Sequence, residues 1–259
     1  MKKKKIIGNI ILVLCILVFL GSGYYLFQYF NAARETQSEL DELIELKEES
    51  LEDTEDTEEI KTEAGKTILK KYKKLYKKNK DMIGWVQVKG TEIDYPVMQT
   101  KKDNEYYLHR NFKKEEDVNG LPFLDASCDV EDPNNNLMIY GHHMKSGMMF
   151  AHLMDFQEED FFKKHGRIQV DTLYEEREYE VVAAFYSQIY DEDQDVFKYY
   201  QYPGSLSQKK FDTYVKNVKK LSLYDTGVTP EYGDQLVTLV TCAYQTEEGR
   251  FVVVGRRTK

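Results

Sequence analysis

The chain has 259 residues, 41% of them hydrophobic and 13% aromatic, enough apolar material to exclude a wholly disordered polymer. With 15 Gly and 5 Pro it is neither collagen-like nor of low complexity, and 3 Cys are too few for a disulfide scaffold. A net charge of −9 argues against nucleic acid as a partner, and the length fits one to two domains.

The charge is unevenly placed. Residues 2–5 are four lysines, and no further charge appears until Arg34. Between them, Ile6 to Phe27 is apolar apart from Asn9, Ser22 and the glycines. A helix of that length, at about 1.5 Å per residue, crosses a hydrocarbon core of ~30 Å. The pattern predicts a cytoplasmic tail over 1–5 and a transmembrane anchor over 6–28. Lysines before the span and acid after it set the N-terminus inside and the remainder outside the cell. Tyr24, Tyr25 and Tyr29 fall where an aromatic belt would lie at the outer interface. The rival reading is a cleaved signal peptide, but the apolar run is longer than a usual h-region and Asn31-Ala32-Ala33 is a poor cleavage site. Cys15 lies inside that run after the bulky Leu14, so it reads as a lipid-facing or packing residue rather than a lipidation site.

Residues 31–65 carry 14 acidic and 3 basic side chains, a local charge of −11. Leu40, Leu43, Ile44 and Leu51 form a weak helical stripe, and the segment 29–63 reads as a solvated, self-repelling stalk. A folded domain is expected over 64–259. Residues 66–80 reverse the sign, with 8 Lys and no acid. Ile68, Tyr72, Leu75 and Tyr76 share one face, which predicts an amphipathic helix with a solvated lysine side.

From Asp81 the pattern becomes β. Strands are expected at 84–88 and 93–99 around a Lys89-Gly90 turn, at 121–125, and at 137–140 after the Pro133–Asn136 turn. Residues 148–156 and 160–165 read as short helices, and 167–173 with 179–189 as a hairpin. Residues 191–230 interrupt the β pattern with a helix near 207–221, whose Phe211, Tyr214, Val215 and Val218 share a face. Strands at 235–241 and 251–257 close the chain. The sum is a mainly β fold of about eight strands, a closed or nearly closed barrel with helical insertions.

Three features carry chemistry. In Thr238-Leu239-Val240-Thr241-Cys242 an apolar strand ends on a thiol, and Arg250 opens the next strand eight residues later. If those strands pair antiparallel, Cys242 and Arg250 emerge at one rim, where a guanidinium favours the thiolate and can hold an oxyanion. The bland alternatives are a buried Cys242 and an exposed ion pair of Arg250 with Glu247 or Glu248. Tyr140-Gly141-His142-His143 is a second strand end, able to supply the imidazole that a nucleophilic thiol needs. A metal reading of His142, His143 and His152 is weaker, since neither an HExxH spacing nor a paired Cys accompanies them. The third is Cys128, whose acidic neighbours make it the poorer nucleophile. In an extracellular compartment a Cys128–Cys242 disulfide is the non-enzymatic alternative.

Taken together, the Thr-Leu-Val-Thr-Cys strand, the Arg eight residues on, the upstream Tyr-Gly-His-His and the N-terminal anchor resemble the sortases of Gram-positive bacteria. The Tyr140–Met144 run with Met149-Phe150, the helix-bearing insertion and the lysine-rich helix before the first strand look like class B, over about residues 64–259. The resemblance implies an eight-stranded sortase-type barrel with N-terminal helices and a helix in the insertion before the penultimate strand. It places the catalytic His on His142, the nucleophile on Cys242 and the oxyanion-stabilising Arg on Arg250. Thr241 and Tyr244, flanking the thiol, are the expected substrate-binding residues, and neither cofactor nor metal is implied. Val240 departs from the pattern, because many members have Ser or Thr there. The implied activity is cysteine transpeptidation. A secreted protein with a C-terminal sorting signal is cleaved after Thr through a thioester and passed to a peptidoglycan-precursor amine. The alternatives are a membrane-anchored cysteine peptidase using the same Cys and His, and a non-catalytic extracellular binding module.

Overall fold

The chain opens as one uninterrupted helix, α1 (Lys2–Glu52), in a computed structural model that describes residues 2–52, 58–62, 65–132 and 135–258. No Pro occurs in this stretch and no Gly after residue 23, so nothing breaks the helix where its composition turns from apolar to acidic. Its first half, from Ile6 to Phe27, is exposed on every face, with mean hydropathy reaching 2.5. Its second half docks on the rest of the protein. Ala33, Thr36, Leu40, Leu43 and Ser50 are buried at spacings of three, four and seven residues, which is one face of a helix. Lys47, on the same face, reaches Asp94 at 2.9 Å and lies 4.0 Å above the Trp85 ring.

That docking differs from a solvated stalk. Most of the acidic side chains occupy the outward faces of α1, with Glu39 drawn into the interface, while Leu40 and Leu43, only 2% and 6% exposed, anchor it to the domain. Leu51 stays outside the contact, and residues 53–57 and 63–64 of the expected stalk lie outside the described residues. The amphipathic segment is also shorter than its pattern suggests. Ile68 and Leu69 give their N–H groups to Ile60 and Leu173, so the chain is extended there and turns helical only at Lys70, continuing into α2 (Lys73–Lys78). Ile68, Tyr72, Leu75 and Tyr76 are nonetheless all buried.

The barrel is built from β1 (Met82–Gln87), β2 (Asp94–Met98), β3 (Phe123–Leu124), β4 (Asn135–Tyr140), β5 (Arg167–Thr172) and β6 (Glu178–Gln188). The two-residue β7 (Gly204–Ser205) and the helix α4 (Gln208–Leu221) follow, then β8 (Leu236–Cys242) and β9 (Gly249–Arg257). A short helix, α3 (Glu159–His165), precedes β5. The neighbours run β3-β2-β1-β5-β6-β9-β8-β4, and the β3–β4 pairing closes the circle at eight strands, with β7 attached outside along β4. Residues 133–134 of the expected turn before β4 lie outside the described residues, whereas Asn135 and Asn136 already belong to the strand.

Most pairs are antiparallel, but β4 and β8 run parallel, as do β2 and β3. Leu236 to Thr241 of β8 are all buried, the continuous run expected of a strand with neighbours on both edges and protein on both faces. In α4 the buried residues are Phe211, Tyr214, Val215 and Val218, as the periodicity predicts. Tyr214 reaches through the core to Thr238 (2.6 Å), whose hydroxyl in turn donates to Asn136 (2.8 Å). This network leaves no buried hydroxyl of the pair without a partner.

Candidate active site

Strand register assembles the site. Tyr140 of β4 lies beside Val240 of the parallel β8, and Gly141 N–H donates to the Val240 carbonyl at 3.0 Å. The two chains therefore leave the barrel side by side, with His142 level with Cys242. On the other edge of β8, Cys242 pairs directly with Arg250 of β9. Thiol, imidazole and guanidinium line one cleft of about 590 Å³, together with Leu108, Phe123, Tyr140, Ile189, Tyr199 and Tyr200.

Gly141 is required by packing. A Cβ there would sit 2.7 Å from the Phe150 ring, and its carbonyl accepts the Thr241 hydroxyl at 2.9 Å. Phe150 is brought in by Met149, which adopts φ of 56°, a strained conformation for a non-glycine residue.

The two histidines face different partners. His142 Nε2 is 2.8 Å from the Leu108 carbonyl, an acceptor only, so Nε2 carries the proton and Nδ1 keeps the lone pair. Burial lowers the His142 pKa; the Leu108 carbonyl and Asp117 oppose that, and His109, whose ring centroid lies 5.6 Å away, adds to it. The imidazole is thus held neutral, the form able to take a proton. His143 instead bonds the Cys242 carbonyl through Nδ1 at 2.9 Å and packs on Tyr244, whose hydroxyl donates to the His143 carbonyl at 2.8 Å. It clamps the backbone behind the thiol rather than lining the cleft.

Arg250 is half-buried. One terminal nitrogen donates to the Gly249 carbonyl at 2.9 Å, and the other is 3.4 Å from Glu248. The ion pair anticipated as the bland alternative is therefore present with Glu248, but it is long, and the side chain still borders the cleft. Thr241 also lines the cleft, although its hydroxyl is committed to Gly141; Tyr244 is 66% exposed and lies outside the lining. Cys128 is fully buried and separate from Cys242. Its thiol donates to the Asn136 carbonyl, and burial pushes its pKa up to about 11, an inert environment.

Two cleft features were not legible in the sequence. The Leu108 carbonyl is a backbone group, which no side-chain pattern reveals. Tyr199 is wholly buried with its hydroxyl unpartnered, and burial raises its pKa. Its position in the aromatic run Phe197–Tyr202 gave no signal beyond core packing.

A barrel that brings a thiol, a neutral imidazole and a guanidinium to one rim belongs among enzymes of nucleophilic acyl chemistry. Comparison with known proteins makes the assignment specific. Residues 86–258 match the family model described as Sortase domain. Sortase B of Listeria monocytogenes is 32% identical over 258 residues, covering 99% of this chain and 98% of the relative. The crystal structure of sortase B from Bacillus anthracis in complex with AAEK1 superposes with a TM-score of 0.71 at 32% identity, over 89% of this chain and 99% of that one. The Staphylococcus aureus sortase B–substrate complex gives the same TM-score of 0.71 at 25% identity, over 88% and 98%. The chain belongs to the sortase family. Its class B relatives and its closed eight-stranded barrel make it a sortase-type cysteine transpeptidase.

Proposed function

We propose that Cys242, His142 and Arg250 carry out transpeptidation on a secreted protein with a C-terminal sorting signal, cut after a Thr. The observation that carries this reading is the β4–β8–β9 register, which brings the three residues together in the lining of one cleft. Cys242 Sγ, having passed its proton to His142 Nδ1, attacks the Thr carbonyl carbon. The resulting oxyanion accepts N–H bonds from Arg250. Collapse breaks the peptide C–N bond; the imidazolium returns the proton to the leaving amine, and a thioester remains on Cys242. An amine of a peptidoglycan precursor then attacks the thioester and gives its proton to His142, and the thiolate leaves. Thr241 and Tyr244 are proposed to contact the substrate on either side of the thiol.

In this reading residues 6–28 span the membrane with 1–5 in the cytoplasm, and the domain over 64–259 works outside the cell. The exposed apolar half of α1 supports that topology.

The test is incubation with a library of Thr-containing pentapeptides, with trapped thioesters read by mass spectrometry. Wild type should gain an acyl mass on the peptide containing Cys242, and Cys242→Ala should fold and gain none. Added oligoglycine or a diamino acid should appear in the product in place of water. Acylation that persists in Cys242→Ala and vanishes in Cys128→Ala overturns the assignment.

A further inference from the structure

The docked half of α1 is hydrogen-bonded to the loop that braces the turn carrying the acceptor of the His142 imidazole. Thr36, 6% exposed, donates its hydroxyl to Asp117 Oδ2 at 2.7 Å and accepts from Asn119 Nδ2 at 2.8 Å. Asn119, 2% exposed, also donates its side-chain and backbone N–H groups to Asp117 Oδ1, at 2.9 Å and 2.8 Å. The three residues form a closed bracket between the helix and the loop that follows the helical turn Tyr106–His109. From that bracket the loop returns to the turn. Asp117 N–H donates to the His109 carbonyl (3.0 Å), and Leu121 N–H donates to the Tyr107 carbonyl (2.9 Å). Between them Gly120, with φ of +55°, passes so close that a Cβ would lie 2.3 Å from the Leu108 oxygen. That oxygen is the acceptor of His142 Nε2–H.

We propose that Thr36, with Asp117 and Asn119, is a positioning residue for the reaction: the docked anchor helix holds the Leu108 carbonyl in place, and that carbonyl sets the His142 tautomer. The inference rests on the reading of His142 as the proton acceptor for Cys242. Its physical basis is that a neutral imidazole has two tautomers of similar energy in water, and one fixed acceptor selects between them. If the Leu108 carbonyl shifts, the Nδ1–H form becomes populated, and that form has no lone pair at Nδ1 to receive the thiol proton. Packing of Leu40 and Leu43 holds the helix on the domain, whereas the Thr36 hydroxyl fixes the loop to it. The two contributions are therefore separable by mutation.

The experiment uses the full chain in detergent micelles, labelled with ¹⁵N-histidine. The His142 ring signals are identified by their loss in His142→Ala. Long-range ¹H–¹⁵N spectra should give the Nε2–H tautomer for wild type and for Thr36→Ser, which keeps the hydroxyl. Thr36→Val, similar in shape but without the hydroxyl, should show a tautomer mixture. Alkylation of Cys242 by iodoacetamide should slow in Thr36→Val, toward the roughly 10²-fold that a misplaced catalytic group can cost, with rescue in Thr36→Ser. Asp117→Asn, which keeps the shape and removes the charged acceptor, should move both readouts the same way and is decisive if Thr36→Val does not fold. A folded Thr36→Val or Asp117→Asn with the wild-type tautomer overturns the proposal. Alkylation of His142→Ala as fast as wild type overturns instead the reading of His142 as the base, leaving the tautomer spectra to decide the positioning claim.

Discussion

The proposed task of Arg250 depends on the shape of its side chain. Lysine at this position keeps the charge beside the thiol but loses the planar pair of N–H donors, and its ammonium is more strongly hydrated. Loss of one oxyanion donor costs about 10²–10³ in turnover, roughly 3–4 kcal/mol. Arg250→Lys should therefore lower kcat by that factor and leave KM within a few-fold, since the contact forms chiefly in the transition state. Steady-state kinetics within a few-fold of wild type in kcat would show that charge alone suffices. His142 makes a second claim at this scale. Burial puts its folded-state pKa below the ordinary value of 6.5, so the folded protein binds fewer protons there than the unfolded chain. Its stabilising contribution is complete above 6.5 and is lost as the pH falls from that value toward the folded one. Thermal melts taken between about pH 7.5 and about pH 5.5 should thus fall more for wild type than for His142→Gln. Equal slopes would mean that the imidazole does not titrate differently on folding.

Among the elements, α1 is the one whose chemistry conflicts with its position, because Glu39 of this acidic helix is packed against a loop that carries Glu115 and Asp117 as well as Lys113. Glu39 shares that interface with Glu115 and Asp117; one carboxylate oxygen accepts from Asn111 at 2.9 Å, and the other is buried without a partner. Burial raises the Glu39 pKa above 4.5; Lys113 opposes it, while Glu115 and Asp117 add to it. A raised carboxylate pKa means that the folded state holds the proton longer, so stability falls as pH rises from 4.5 through the folded value. Glu39→Gln should consequently melt higher than wild type near neutral pH and converge with it in acid; a lower melting temperature at neutral pH refutes the account. The attractive side of the same interface is apolar. Leu40→Ala removes a side chain that is 2% exposed and should cost about 2–3 kcal/mol in denaturant titrations. A loss below about 0.5 kcal/mol would mean that the helix is not docked in solution.

For the molecule as a whole, the continuity of α1 matters more than its sequence. The helix that is exposed and apolar over its first half is the same rigid rod that packs beside Trp85 and Asp94 on β1 and β2. Removing residues 1–30 takes away only the exposed part, and the truncated protein should remain soluble with an unchanged melting temperature. Removing residues 1–52 uncovers Phe112 and Leu121, which adjoin Leu40 and Leu43, and should lower the melting temperature by several degrees. Identical melting curves for the two truncations would place all of α1 outside the folding unit.

Much of this architecture is local information. The apolar run of β8, the α4 face of Phe211, Tyr214, Val215 and Val218, and the β5–β6 hairpin are set by side-chain periodicity, which a sequence carries in full. The pairing of Cys242 with Arg250 was equally accessible, because a short hairpin loop leaves little choice of register. What the sequence could not contain is the parallel alignment of β4 with β8. It joins residues about a hundred positions apart and depends on barrel closure, and it sets His142, not His143, into the cleft. The docking of α1 is of the same kind. Fourteen acids in residues 31–65 read as solvated, and only a partner surface turns the stripe of Ala33, Thr36, Leu40 and Leu43 into a buried face. Composition and periodicity determine what each segment is able to bury; what it does bury is decided by long-range contacts, whose free energy exists only once the chain has folded.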